Sequence, residues 1–131
     1  MTFMKTAYPV IISTTLPTAA KASALARAVV GARLAACAHL IPLRSIYWWQ
    51  GKVEHDAEVA IQFKTRRPLA RHLMSFIRER HPYEVPEIVV TPILDGWPDY
   101  LAWINRETTS ASLTSRPARP RKSLSGKRRA P

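Results

Sequence analysis

Two extended runs on either side of a glycine turn constrain this chain more than any other feature. Residues 34–49 read LAACAHLIPLRSIYWW, residues 53–65 read VEHDAEVAIQFKT, and Gln50, Gly51 and Lys52 separate them. In the second run Val59, Ile61 and Phe63 alternate with Ala60, Gln62 and Lys64, the period of a strand with one buried face. Together the runs predict a β-hairpin. Pro42 has no amide hydrogen, so it marks a bulge or an edge position in the first strand.

The flanking segments supply the rest of a fold. YPVIISTT (8–15) is short and β-branched and reads as a buried strand. Pro17 stands where a helix can begin. Ala22, Leu25, Ala26, Val29 and Val30 then follow helical apolar spacing, with Lys21, Arg27 and Arg33 off that face and Gly31 near its end. Pro68 opens a second helix with the stripe Leu69, Leu73, Phe76 and Ile77. That helix must stop at or before His81, because Pro82 disfavours the α conformation in the residue ahead of it. EIVVTPIL (87–94) is a fourth strand, and Asp95-Gly96 is a turn. PDYLAWINRE (98–107) is a last helix that packs through Tyr100, Leu101, Trp103 and Ile104. The class is α+β, and the order predicts a ferredoxin-like βαββαβ sandwich with a short C-terminal helix. Ile46, Tyr47, Trp48 and Trp49 make both hairpin faces apolar at one point. A patch of that kind marks an interface, so a homo-oligomer is expected in which the hairpin reaches a neighbouring subunit.

The 131 residues suit one domain. Its expected extent is 1–107, followed by a disordered basic Ser/Pro-rich tail over 108–131. All nine acidic residues lie in 1–107 with thirteen Lys and Arg, a net of +4, whereas the tail carries seven Lys and Arg and no acid. The basic pI is therefore partly a tail property. Nucleic acid is expected to bind at most weakly, through the tail and without sequence preference. The single cysteine excludes an intrachain disulfide, and no run approaches the ~20 apolar residues of a membrane span; a cytoplasmic location is expected. The sequence contains no G-x-S-x-G, H-E-x-x-H or C-x-x-C, and its four glycines are scattered. Neither an enzyme nor an organic cofactor is expected.

Two clusters offer ligand chemistry. HPYEVPEIVVTP (81–92) sets His81, Glu84 and Glu87 around two prolines. It is either a metal or small-ligand site on a stiffened loop, or a corner where His81 caps the helix, Tyr83 packs and the glutamates pair with arginines. The corner is favoured, because the loop lacks a full ligand count. Cys37 and His39 are two apart and share a strand face, where they could hold a soft cation such as Cu(I) or Zn²⁺; packing as a core residue is favoured for Cys37. Glu54, Asp56 and Glu58 line one face of the second hairpin strand, with salt bridges favoured over a hard cation.

RLAACAHLIP, SIYWWQGKVEHDAE, QFKT, HPYEVPEIVVTPI and the closing Gly96, Tyr100, Leu101 and Trp103 stand in the order found in CutA. The chain thus resembles the divalent-cation tolerance protein family over residues 8–106. The resemblance implies a non-enzymatic homotrimer whose long hairpins join sheets between subunits, with a role in tolerance of divalent ions, copper above all. It implies Cys37, His81 and Glu84 as metal ligands, with His39 a weaker candidate. An alternative is a small-molecule-sensing trimer similar to nitrogen-regulatory signalling proteins. Its ligand cleft, between subunits near His81, would involve Lys64, Tyr83, Glu87 and Trp103, and its state would pass to a protein partner. Gln50 departs from the acidic residue often found at that position in the family.

Overall fold

The computed structural model describes residues 8–109. Strand β1 spans Pro9–Leu16, and Val10, Ile12, Thr14 and Leu16 alternate onto its buried face. Helix α1 covers Ala19–Gly31, with Ala22, Leu25, Ala26 and Val29 against the sheet. Its cap is Thr18, whose hydroxyl accepts the Lys21 N–H at 3.1 Å, so Pro17 precedes the cap instead of opening the helix. Gly31 ends the helix, but the left-handed residue lies further on, at Arg33 with φ 63°. There the Leu34 N–H reaches back to the Val29 carbonyl.

Strands β2 (Cys37–Trp49) and β3 (Lys52–Arg66) form an unbroken antiparallel ladder from Cys37 opposite Lys64 to Trp49 opposite Lys52. Gln50 and Gly51 both have positive φ, 51° and 80°, as a tight two-residue hairpin turn requires. Pro42 sits in register opposite Val59, and β2 is the outermost strand. The proline is therefore an edge residue with no bulge. A 3₁₀ turn (Arg67–Leu69) leads into helix α2 (Ala70–Arg80), where Leu69, Leu73 and Ile77 are fully buried and the Arg80 guanidinium lies 3.5 Å over the Phe76 ring. His81 adopts extended backbone and stops the helix, as Pro82 demands. Strand β4 is shorter than expected, Ile88–Pro92, although the Ile93 N–H still bonds the Pro9 carbonyl. Helix α3 runs Pro98–Thr108.

The sheet order is β2-β3-β1-β4, antiparallel throughout, the ferredoxin-like arrangement with α1 and α2 on one face. Helix α3 lies partly over the other face. Its Ile104 is buried, and Thr108 accepts from Arg66 Nε at 3.1 Å while Arg66 Nη2 bonds the Thr108 carbonyl. Thr108 thus belongs to the folded unit, one residue past the expected boundary. The remainder of the expected tail, from residue 110, lies outside the described residues.

Strand β1 stops opposite Val59, so the hairpin continues beyond the sheet as an arm. There β3 has a partner on one side only. The helices do not reach this far, and Ile46, Trp48 and Val53, on the helix-side face, are 77%, 73% and 58% exposed.

Arg33 joins the two ends of the fold. Its Nη1 donates to Glu107 Oε1 at 2.8 Å and to the Glu107 carbonyl at 3.1 Å. Arg33→Ala removes this clasp and keeps the left-handed strain, whereas Arg33→Gly removes both. Arg33→Gly should therefore be more stable than Arg33→Ala by about 1 kcal/mol in urea unfolding; equal midpoints would show that the strain costs nothing here.

Candidate functional site

Counting outward from the turn brings Cys37 opposite Lys64 and His39 opposite Gln62. Side chains two apart share a strand face, so Cys37, His39, Gln62 and Lys64 lie together on the face away from α1 and α2. Helix α3 adds Tyr100. Lys64 Nζ lies 3.4 Å from His39 Nδ1 and 3.5 Å from the Tyr100 hydroxyl, and Cys37 Sγ lies 3.6 Å from that hydroxyl. An ammonium only donates, so His39 Nδ1 is the acceptor. Trp103, one turn along α3, stacks on Tyr100 with ring centroids 5.6 Å apart. Beyond Trp103 opens a groove of about 440 Å³ lined also by Val30, Gly31, Arg33, Ala36 and Glu107.

The histidine loop is organised differently. His81 is 3% exposed, Tyr83 2% and Glu58 3%. The Tyr83 N–H donates to His81 Nδ1 at 3.1 Å, which leaves the proton on Nε2 to bond the Thr15 carbonyl at 2.8 Å. The Tyr83 hydroxyl donates to Glu58 Oε2 at 2.7 Å. Both imidazole nitrogens are therefore engaged by the fold, and His81 is a corner residue that secures the loop to the end of β1. Glu84 is exposed and Glu87 half-buried.

This arrangement separates the expected ligand sets. Cys37 lies opposite Lys64, while His81 bonds Thr15, which lies opposite Ala60. Four residues of β3 divide the two positions, roughly 13 Å along a strand. Within one chain, Cys37 and His39 stand at one end of the face, and His81 and Glu84 at the other. No group of three or more His, Cys, Asp or Glu able to hold a metal ion occurs among the described residues. Within one chain, Lys64 and Trp103 join through Tyr100, while Tyr83 belongs with Glu58 and His81. Two of the three β3 carboxylates accept from phenols, Asp56 from the Tyr47 hydroxyl and Glu58 from Tyr83. The sequence marks Tyr100 as a packing residue of the last helix, but not its contacts with Cys37 and Lys64, nor the Glu58–Tyr83 bond. The meeting of Cys37 and Lys64 was open to counting from the turn.

Desolvation, then the hydrogen bond to Cys37 and the charge of its sulfur, push the Tyr100 hydroxyl up to about 12. The folded state thus holds this proton more tightly than the unfolded chain does. Stability should fall as pH rises from about 10 towards about 12, with no pH dependence from this group below that window. In a spectrophotometric titration one tyrosine should ionise well above the normal range, and Tyr100→Phe should abolish that late transition. Cys37→Ser should bring it part of the way down; an unmoved transition would separate Tyr100 from the thiol.

Comparison with known proteins agrees with the architecture. Residues 10–107 match the family model for the CutA1 divalent ion tolerance protein. A mouse protein named Protein CutA is 48% identical over 99 residues, 75% of this chain, which spans 56% of that relative's length. A divalent-cation tolerance protein CutA from Yersinia pestis is 41% identical over 97 residues, covering 73% of this chain and 82% of its own. Among solved structures, CutA1 from Pyrococcus horikoshii with the mutation D60A is 41% identical with a TM-score of 0.74, covering 76% of this chain and 97% of its own. A CutA from Archaeoglobus fulgidus, described as a periplasmic divalent cation tolerance protein, is 31% identical with a TM-score of 0.75, covering 76% and 98%. No helix among the described residues is long and apolar enough to cross a membrane. With the fold, the motif order and nearly the whole described length in agreement, this chain belongs to the CutA1 divalent ion tolerance protein family.

Proposed function

We propose that this protein is a non-enzymatic, cytoplasmic homotrimer that acts in tolerance of divalent cations and binds copper or a similar ion. Family membership is the observation that carries the reading. The arm supports self-association. An unpaired strand edge next to exposed Ile46, Trp48 and Val53 is costly to leave in water. The Trp49 indole N–H is buried with no acceptor among the described residues, a vacancy that a neighbouring copy can fill.

The donors of a single chain do not complete a metal site, because two ligands are too few. The reading therefore requires donors from another copy. Cys37 and His39 are this chain's contribution to a soft ion. Exposed Glu84 can reach a neighbour, whereas His81 joins only if its bond to Thr15 breaks. A second reading, a small-molecule-sensing trimer signalling to a protein partner, draws support from one observation: Lys64 has no carboxylate partner among the described residues.

Two experiments test these readings. Native mass spectrometry of the full chain should show a trimer. Replacing the arm's apolar face (Ile46→Asp with Trp48→Lys) should give folded monomers by circular dichroism, and an intact trimer would refute the arm's role. Calorimetry with Cu⁺, Cu²⁺ and Zn²⁺ should show binding at least about tenfold tighter than in Cys37→Ser, His39→Ala. Equal affinities would refute this ligand pair.

A further inference from the structure

Across all four strands, two rows of side chains face the same way as Lys64. The first runs Cys37, Lys64, Ile11, Thr91; the second runs His39, Gln62, Ser13, Val89. Neither row contains a carboxylate. The half-buried Lys64 ammonium makes two hydrogen-bond contacts, of 3.4 and 3.5 Å, to neutral groups, both longer than a good N–H···O or N–H···N bond, and lies 5.7 Å from the Tyr100 ring centroid. The Arg33–Glu107 and Arg106–Glu107 ion pairs lie elsewhere. The Lys64 charge therefore has no carboxylate against it among the described residues.

A donor census sharpens the point. Lys64 retains a third N–H beyond its two contacts. His39 presents its Nδ1 to the ammonium, so its proton sits on Nε2 and is available to a ligand. The Tyr100 oxygen accepts from Lys64, and its own proton has only the weak thiol contact at 3.6 Å. Three donors and a net positive charge thus converge with no anion among them. Beside them, the stacked Tyr100 and Trp103 rings form a flat wall that continues into the groove of about 440 Å³, a volume suited to a small organic body.

We propose that Lys64, Tyr100 and His39 bind the oxyanion of a small organic acid, a carboxylate or a phosphate monoester, whose flat apolar body lies against Tyr100 and Trp103. This deepens the small-molecule reading, on which it rests. Its residue set differs from the expected cleft: Tyr83 and Glu87 are replaced by Tyr100 and His39. Arginine in place of Lys64 preserves the charge, and methionine removes it at similar length.

The test uses the full chain, with binding of benzoate, phenyl phosphate, acetate, inorganic phosphate and neutral benzamide followed by amide NMR shifts. Benzoate or phenyl phosphate should bind several-fold more tightly than acetate or inorganic phosphate, and benzamide should bind least. Lys64→Met should weaken the preferred anion by on the order of tenfold, Lys64→Arg should retain most of the affinity, and Trp103→Ala should erase the advantage over acetate or inorganic phosphate. Preference for benzoate over phenyl phosphate, or the reverse, assigns the headgroup. Equal binding in Lys64→Met with the fold intact would overturn the proposal, as would benzamide matching the anions; in the latter case the small-molecule reading survives. Silence across the panel would remove both.

Discussion

The two-residue turn at Gln50 and Gly51 is the constraint on which the rest of this structure depends. Both residues must hold positive φ, and in return the strands leave the turn with one register and no bulge. Because side chains alternate with a period of two, a slip by one residue would send Cys37 and His39 to the opposite face from Lys64. The turn thus determines, from far along the strands, which groups can do chemistry together. It also determines where β1 runs out and the unsupported arm begins.

Charge then decides what those groups can hold. Cys37 and His39 are soft donors, but an ammonium stands against one of the two His39 ring nitrogens. A cation on that nitrogen must move Lys64 aside, and Coulomb repulsion between unit charges a few Å apart is strong in a half-buried setting. Cation and anion are therefore competing occupants of one face. A neighbouring copy changes this balance only by bringing carboxylates or further soft donors to it.

Much of the fold was legible in the sequence because its signals are local. Strand alternation in 59–64, the apolar spacing of α1 and α2 and the stop imposed by Pro82 each depend on a few adjacent residues, and each appears as expected. That His81 stops the helix was legible for the same reason, but its bond to Thr15 was not. What was missed depends on contacts distant along the chain. Tyr100 meets Cys37 only because α3 folds back over the sheet. Arg33, two residues past Gly31, takes the left-handed position, and its guanidinium meets Glu107 at the far end of the domain. The ligand sets drawn from motif order divided for a related reason: order along a chain carries no information on which end of a strand each residue meets.

The Tyr83–Glu58 bond has a mechanical side. Glu58 is the first residue of β3 outside the β1 ladder, so this buried phenol and carboxylate sit at the root of the arm. From Glu58 to the turn at Lys52 the arm extends roughly 20 Å at the usual strand rise. On a lever of that length, a tilt of about 5° at the root carries the tip by nearly 2 Å, more than a packed interface between copies tolerates. A proline-stiffened loop that serves as a corner is also, at the other end of the arm, what aims the tip.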